Sequence, residues 1–360
     1  MSSVTKSPPI ANAYSAGRLP RFAPLMILAG SFLLASVVFA LVATGTPDGS
    51  FNLVAVLFGT AALYAVATYV GSRLVEGPRR AADRLVTTLV TGAFIVAMLP
   101  LISLVVTVIT LGSGRLDLDF FTLSMRNVLG EGGGAAHAIV GTLLMTGVAT
   151  LVSVPIGLLT SIYLVEYGRG RLAQAITFLV DVMTGIPSIV AGLFAFALFE
   201  IILGPGTRVG LSGSIALTVL MLPVVVRSSE EILRLVPNEL REASYALGVP
   251  KWLTILKVVV PTSIAGISTG VMLSIARVIG ETAPLLIAAG FSNNFNFDLT
   301  EGRMQSLPVY VYYSYISQGT DFAPYIERAW AGALTLIAIV MALNLIARLV
   351  ARVFAPKLGR

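Results

Sequence analysis

Apolar runs of about 20 residues alternate with short polar segments along nearly the whole chain. About 20 apolar residues wound into a helix cross the hydrocarbon core of a bilayer, whereas a spanning strand would alternate apolar and polar residues over about ten. The pattern predicts an all-α polytopic membrane protein. Eight spans are expected, at about 24–45, 52–73, 85–112, 137–166, 173–203, 211–229, 259–290 and 327–352. Thr184-Gly185-Ile186-Pro187-Ser188 predicts a helix break in the fifth, and Gly280 with Pro284 a kink or break in the seventh.

The composition agrees: 56% of residues are hydrophobic, 12% are charged, and mean hydropathy is +0.90, a balance that a water-soluble core of this length does not accommodate. The net charge of +6 belongs to short loops between spans and forms no soluble basic stripe, so nucleic acid is excluded as a partner. With no cysteine and a single histidine, disulfides and the usual metal sites are absent. His137, at the start of a span, is expected in a solvated loop.

An even number of spans puts both termini on one side. With that side cytoplasmic, all but six of the 24 basic residues lie inside; Arg115, Arg126, Arg208, Arg303 and Arg328 lie outside and Arg277 within a span. This asymmetry supports a bacterial inner-membrane protein with cytoplasmic termini. Residues 1–23 read as a disordered cytoplasmic tail and the first span as a retained anchor. Residues 24–73 form an accessory hairpin without deep ionisable groups, and 80–357 the remaining six-helix core. The outward loops, Ser113–Ala136 and Phe291–Glu327, face the side where a soluble donor would dock. Tyr310, Tyr312, Tyr313 and Tyr315 read as an aromatic belt. The Gly130–Gly134 run lacks the Lys-Ser/Thr of a phosphate loop and reads as a flexible linker.

A cytoplasmic segment, 237–261, is unlike the other loops. Pro237 and Asn238 start a short helix, Glu239 and Glu242 place acid in its first turn, and Gly248 with Pro250 ends it. Leu240, Ala243, Ala246 and Leu247 share one narrow apolar face, fit for a groove on another protein or for the membrane surface. Within the spans, Arg277 and Glu281 are four residues apart and able to pair, either as a packing lock or as part of an anion path. Arg227 and Glu230 are three apart at a span's cytoplasmic edge, where snorkelling is the competing account. Asp181 precedes the break lined by Thr184 and Ser188. Arginine suits an oxyanion because its planar fork donates two parallel hydrogen bonds.

Glu242-Ala243-Ser244, Gly248, and Val258-x-Val260-Pro261 resemble the EAA loop of ABC-importer permeases, with Ser244 in place of an alanine and valines in place of isoleucine and leucine. The resemblance implies that Glu242, Ala243, Ser244, Gly248, Lys251 and Trp252 form a coupling element seated in an ATPase subunit. Asp181-Val-Met-Thr-Gly-Ile-Pro-Ser, Arg227-Ser-Ser-Glu-Glu and Ala276-Arg-Val-Ile-Gly-Glu-Thr-Ala-Pro are similar to the phosphate-import permeases of the PstA and PstC type, over roughly residues 80–357. The resemblance implies a substrate path involving Arg227, Glu230, Arg277 and Glu281, with Asp181, Thr184, Ser188 and Thr282 as further candidates. It also implies a non-catalytic subunit that binds no cofactor, with ATP and Mg on a PstB-like ATPase dimer, a PstC-like second permease and an extracytoplasmic PstS-like phosphate-binding protein. No Gly-x-x-x-x-Gly-Lys-Ser/Thr occurs in the chain. The other readings are a permease for molybdate, sulfate or phosphonate, and an ion-coupled secondary transporter or channel acting alone.

Overall fold

In the computed structural model, which describes residues 17, 19–44, 52–319 and 321–354, every regular element is a helix. In chain order these are α1 Ala23–Thr44, α2 Leu53–Val75, α3 Pro78–Gly112, α4 Leu118–Thr122, α5 Ala136–Ile162, α6 Arg171–Thr184, α7 Ser188–Leu203 and α8 Gly210–Arg234. There follow α9 Asn238–Ala246, α10 Lys251–Thr254, α11 Val260–Ile279, α12 Ala283–Ala288, α13 Leu307–Ile316 and α14 Ala323–Phe354. Among the described residues seven helical segments are long and apolar enough to cross a membrane, and α6 with α7 make an eighth if that bent pair is one span. The expected N-terminal tail lies almost wholly outside the described residues.

The chain divides within α3 into two compact units, Met1–Val105 and Val106–Arg360. In the first, α1 packs on α2. Leucine, valine and phenylalanine stay exposed around both helices, as expected of surfaces solvated by acyl chains rather than water. The polar stretch expected to be a loop before the third span is already helical from Pro78, because proline is preorganised for the first turn. Gly77, at φ +91, makes the reversal. Behind it Glu76 is buried and accepts hydrogen bonds from Arg84 Nε (2.6 Å) and Nη2 (2.9 Å), Ser72 Oγ (2.8 Å) and the Leu19 amide (3.0 Å).

The second unit is built on α8, the most buried of the long helices. Its small residues, among them Ser212, Gly213, Ser214 and Ala216, let α5 and α11 approach closely. A Cβ on Gly270 of α11 would stand 2.5 Å from Ser228 Oγ of α8. Met145, Leu217, Met221, Val225, Ile275, Val278 and Leu285 fill the core between these helices. The sixth span is longer than expected, since α8 runs on to Arg234 and keeps Glu230 and Glu231 helical.

Neither the fifth nor the seventh span is one continuous helix. α6 and α7 are bent by 108° about residues 185–187, where Pro187 has no amide to continue the ladder. α11 stops at Ile279 and α12 resumes at Ala283. These breaks lie together: a Cβ on Gly192 of α7 would stand 2.5 Å from Pro284 Cα of α12.

Two predictions follow from this packing. Gly192→Val meets backbone that cannot swing aside and lowers stability by about 1–3 kcal/mol, whereas Gly71→Ala, with nothing within 4 Å of its Cβ, is neutral or raises stability by up to about 1 kcal/mol; thermal unfolding in detergent compares them. The Arg84 hydrogen bonds hold the Glu76 carboxyl down from 4.5 to about 2. Because the folded value is the lower one, its contribution is present above pH 4.5 and is lost as pH falls toward about 2. Proteolysis near residue 77 accelerates across that window in the wild type, and much less so in Glu76→Gln.

Candidate functional site

The charged groups expected on a substrate path are only partly brought together. Arg227 of α8 donates to Glu230 (3.0 Å) on its own helix and forms an ion pair with Asp181 of α6. Glu230, 5% exposed, also accepts from Arg234 at 2.6 Å. Arg227 therefore bridges two helices, and simple snorkelling into water does not describe it. Beside the cluster lies a cavity of about 410 Å³ lined by Gln174, Thr177, Asp181, Glu230 and Arg234 together with the apolar Leu164, Ala173 and Phe178.

At the break after α6, Thr184 donates its hydroxyl to Val180 O (2.9 Å) and the amides of Gly185 and Ile186 close turns onto Val182 and Met183. Those donors are occupied. The first amides of α7, at Ser188 and Ile189, have no partner among the described residues and lie at the positive end of a 16-residue helix. Thr282 stands at the start of α12 without capping it. Arg277 and Glu281 do not form the expected ion pair among the described residues, because α11 ends between them and the helical spacing that would align them is lost. Arg277 stands exposed in the last turn of α11, where a cation complements the C-terminal dipole.

The coupling segment forms as expected, with α9 starting after Pro237 and leaving through Gly248 at φ +74. Its apolar face points outward, with Leu240, Ala243, Ala246 and Leu247 all exposed, as are Glu242 and Trp252. The root of the helix is fastened by groups that sequence reasoning missed. Arg241 reaches 75 residues back to Glu166, with Nε–Oε1 at 3.0 Å and Nη2–Oε1 at 2.9 Å, and also donates to Val236 O (2.6 Å) and Leu233 O (3.1 Å). Glu166 lies in a π-helical turn, Tyr163–Tyr167, that continues α5. Lys251, expected in the coupling element, donates to Glu166 O and lies over the Tyr167 ring at 4.7 Å. Ser244 is more than a size-matched alanine substitute: its hydroxyl meets that of Thr254 in α10 at 2.9 Å.

At the other end of the unit, three expectations are corrected. His137 is buried, 2% exposed, with Nε2 2.9 Å from Gln305 Oε1, because residues 304–307 fold over the first turns of α5 and Leu307 N donates to Thr142 Oγ1. The glycine run is tied down: Arg328 Nη1 donates to Gly130 O (2.6 Å) and Gly132 O (2.9 Å), and Arg115 Nη2 to Gly133 O (2.8 Å). Tyr310 belongs to a buried cluster with Phe120 and Leu307, leaving Tyr312 and Tyr315 facing outward.

Residues 153–360 match the family model described as "Binding-protein-dependent transport system inner membrane component". The chain is 48% identical over 275 residues to "Phosphate transport system permease protein PstA 1" of Mycobacterium tuberculosis (strain CDC 1551 / Oshkosh), covering 76% of this chain and 89% of that protein. It is 41% identical over 273 residues to "Phosphate transport system permease protein PstA" of Pasteurella multocida (strain Pm70), covering 75% and 95%. Among solved structures, a bacterial ABC transporter involved in the import of the acidic polysaccharide alginate matches with TM-score 0.52 at 14% identity, over 78% of this chain and 98% of that one. That last likeness concerns fold alone.

The buried Glu166–Arg241 bond gives a quantitative prediction. Glu166→Gln and Arg241→Ala each lower stability by about 3 kcal/mol, and the double variant costs clearly less than the sum, as a double-mutant cycle on unfolding midpoints measures.

Proposed function

The chain belongs to the binding-protein-dependent transport inner-membrane permeases and, within them, to the PstA family of phosphate transport permeases, and we propose that it moves inorganic phosphate by converting a push on α9 into motion around α8. The observation that carries this reading is α9 itself, a helix with an exposed apolar face whose root is bonded to the turn that continues α5 and to α10. A helix with its apolar face outward and its polar root fixed is suited to a groove on another protein. The occupant is a PstB-like ATPase, acting as a dimer and carrying ATP and Mg, while this chain binds no cofactor and hydrolyses nothing. A PstC-like permease completes the membrane path. A PstS-like binding protein delivers phosphate at the end that holds the tethered glycine run, and the α9 end faces the cytoplasm with both termini.

The force path follows from the bonds. Closure of the ATPase displaces α9, Arg241 pulls on Glu166 and so on α5, and Ser244 pulls on Thr254 and so on the segment leading into α11. Both α5 and α11 flank α8, which carries Arg227 and Glu230. Separation of α6 from α8 releases Arg227 from Asp181, freeing a planar fork that fits phosphate in a bidentate manner. Glu230 then holds the freed arginine in place through its own hydrogen bond. Ser188 and Thr282, at the two adjoining breaks, and the neighbouring Arg277 and Glu281 are secondary contributors.

Labelled phosphate uptake into vesicles containing this chain, its partner subunits, binding protein and ATP tests the reading. Uptake that persists without ATP sinks it. Arg227→Ala is expected to lower uptake by at least about tenfold with the assembly intact, equivalent to about 1.4 kcal/mol. Gly248→Val, forced into a conformation that a branched residue adopts at a cost of about 1–3 kcal/mol, uncouples ATP hydrolysis from uptake while leaving membrane insertion normal.

A further inference from the structure

A second polar site lies far along the chain from α9, entirely within the first unit. A cavity of about 570 Å³ opens between α2 and α3, whose lining includes Tyr64 and Thr68 from one helix and Arg80, Asp83, Thr87 and Thr88 from the other. On α3 these positions follow the i, i+3, i+7, i+8 spacing of a single face, so the polar stripe is continuous. The volume is in the range of small-ligand pockets. It lies next to the α2–α3 reversal, at the end of a 23-residue apolar helix, and therefore where headgroups meet hydrocarbon.

The charges within it are unequally committed. Glu76 and Arg84 satisfy each other through two hydrogen bonds. Arg80 and Asp83 have no ion pair among the described residues, although both line the cavity. Thr68 is 3% exposed, and its hydroxyl has no hydrogen-bond partner among the described residues. A buried hydroxyl without a partner costs about 1–3 kcal/mol, and most helical threonines avoid that cost by bonding to a backbone carbonyl four residues back, as Thr60 does here. Thr68 lies seven residues before the end of α2, about 10 Å along the helix, where a polar group drawn below the surface would supply the missing partner. Beside the polar stripe on α3, Val86 and Val90 are exposed apolar positions suited to acyl chains.

We propose that this notch binds the headgroup of a zwitterionic phospholipid of the phosphatidylethanolamine class, its phosphate on Arg80 and the threonine hydroxyls and its ammonium on Asp83. The four charged groups in the cavity balance, two acids against two bases. A neutral headgroup carrying both signs matches that balance, and free phosphate, with up to two negative charges, is opposed by Asp83 and Glu76. The apolar flanks require that the headgroup arrive with its tails attached.

The test uses the full chain purified in mild detergent, with bound lipid measured by native mass spectrometry after exchange against micelles of defined phosphatidylethanolamine or phosphatidylglycerol. The wild type is expected to retain phosphatidylethanolamine about tenfold better than phosphatidylglycerol, a difference of about 1.4 kcal/mol. Asp83→Asn shifts the preference toward phosphatidylglycerol, and Arg80→Ala abolishes retention of both. Thr68→Val weakens retention while leaving the lipid-free unfolding temperature unchanged or higher, an outcome that a merely structural hydroxyl would not produce. Equal retention of the two lipids by the wild type overturns the proposal, as does displacement of bound lipid by inorganic phosphate, which would make the site one for the free anion. The wild-type competition decides even where a variant fails to fold.

Discussion

Hydrocarbon offers a backbone amide nothing to bond to, and that single fact disciplines the rest of this structure. Where the chain crosses a membrane it is helical, and where a helix stops inside a span the loose ends are taken up by turns or packed protein. The breaks at 185–187 and 280–282 obey this rule. Gly185 and Ile186 close onto carbonyls of α6, Glu281 N onto Val278 O, and the helices that resume pack against each other at Gly192 and Pro284. What remains unbonded among the described residues, the first amides of α7, lies at an interruption. Irregular backbone in a membrane is tolerated where it is covered by protein or lines a polar cavity, and these interruptions meet that condition through their mutual packing.

The same scarcity of partners explains how the charges are arranged. Glu230 serves two arginines and Glu166 accepts from both Arg241 and, through its carbonyl, Lys251. Each acid is thus held by charged donors, and removing one partner is costly. The donors come from elements far apart in sequence, so the bonds tie together helices that the local chain does not constrain. α8 is the common neighbour of α5, α6, α7, α11 and α12. A small displacement at its edge is therefore felt on several sides of the unit, which is the condition for a bistable rather than a freely deformable bundle.

Much of this was legible in the residues. The apolar runs located the spans, because hydrophobic length is a one-dimensional property, but not the helical extensions beyond the apolar stretch, such as the start of α3 at Pro78 and the end of α8 at Arg234. Gly185-Ile186-Pro187 and Gly280 marked the breaks, and Pro237 and Gly248 the ends of α9, because proline and glycine act on the backbone at their own position. Arg227 and Glu230 were found as a pair, being neighbours on one helix. Asp181 was singled out only as a residue near a break, since its bond to Arg227 depends on how α6 and α8 pack. Glu166, Arg241 and Arg328 escaped as bonding groups for the same reason: their partners are 75 and about 200 residues away, and no local pattern announces a contact of that span. Arg277 and Glu281 misled in the opposite sense. Their spacing presumes an unbroken helix, and the glycine that ends α11 lies between them. His137 misled because its neighbours in sequence say nothing of residues 304–307 that cover it.

The Glu166–Arg241 bond also orders events during synthesis. Its acid is made 75 residues before its arginine, which at about 5–20 residues per second is a delay of about 4–15 s. Through that interval α6, α7 and α8 must be delivered to the membrane while the turn at Tyr163–Tyr167 waits with its carboxylate in water. The bond closes only after α8 has been made, so the end of α5 is fastened to α9 only once the helices between them exist.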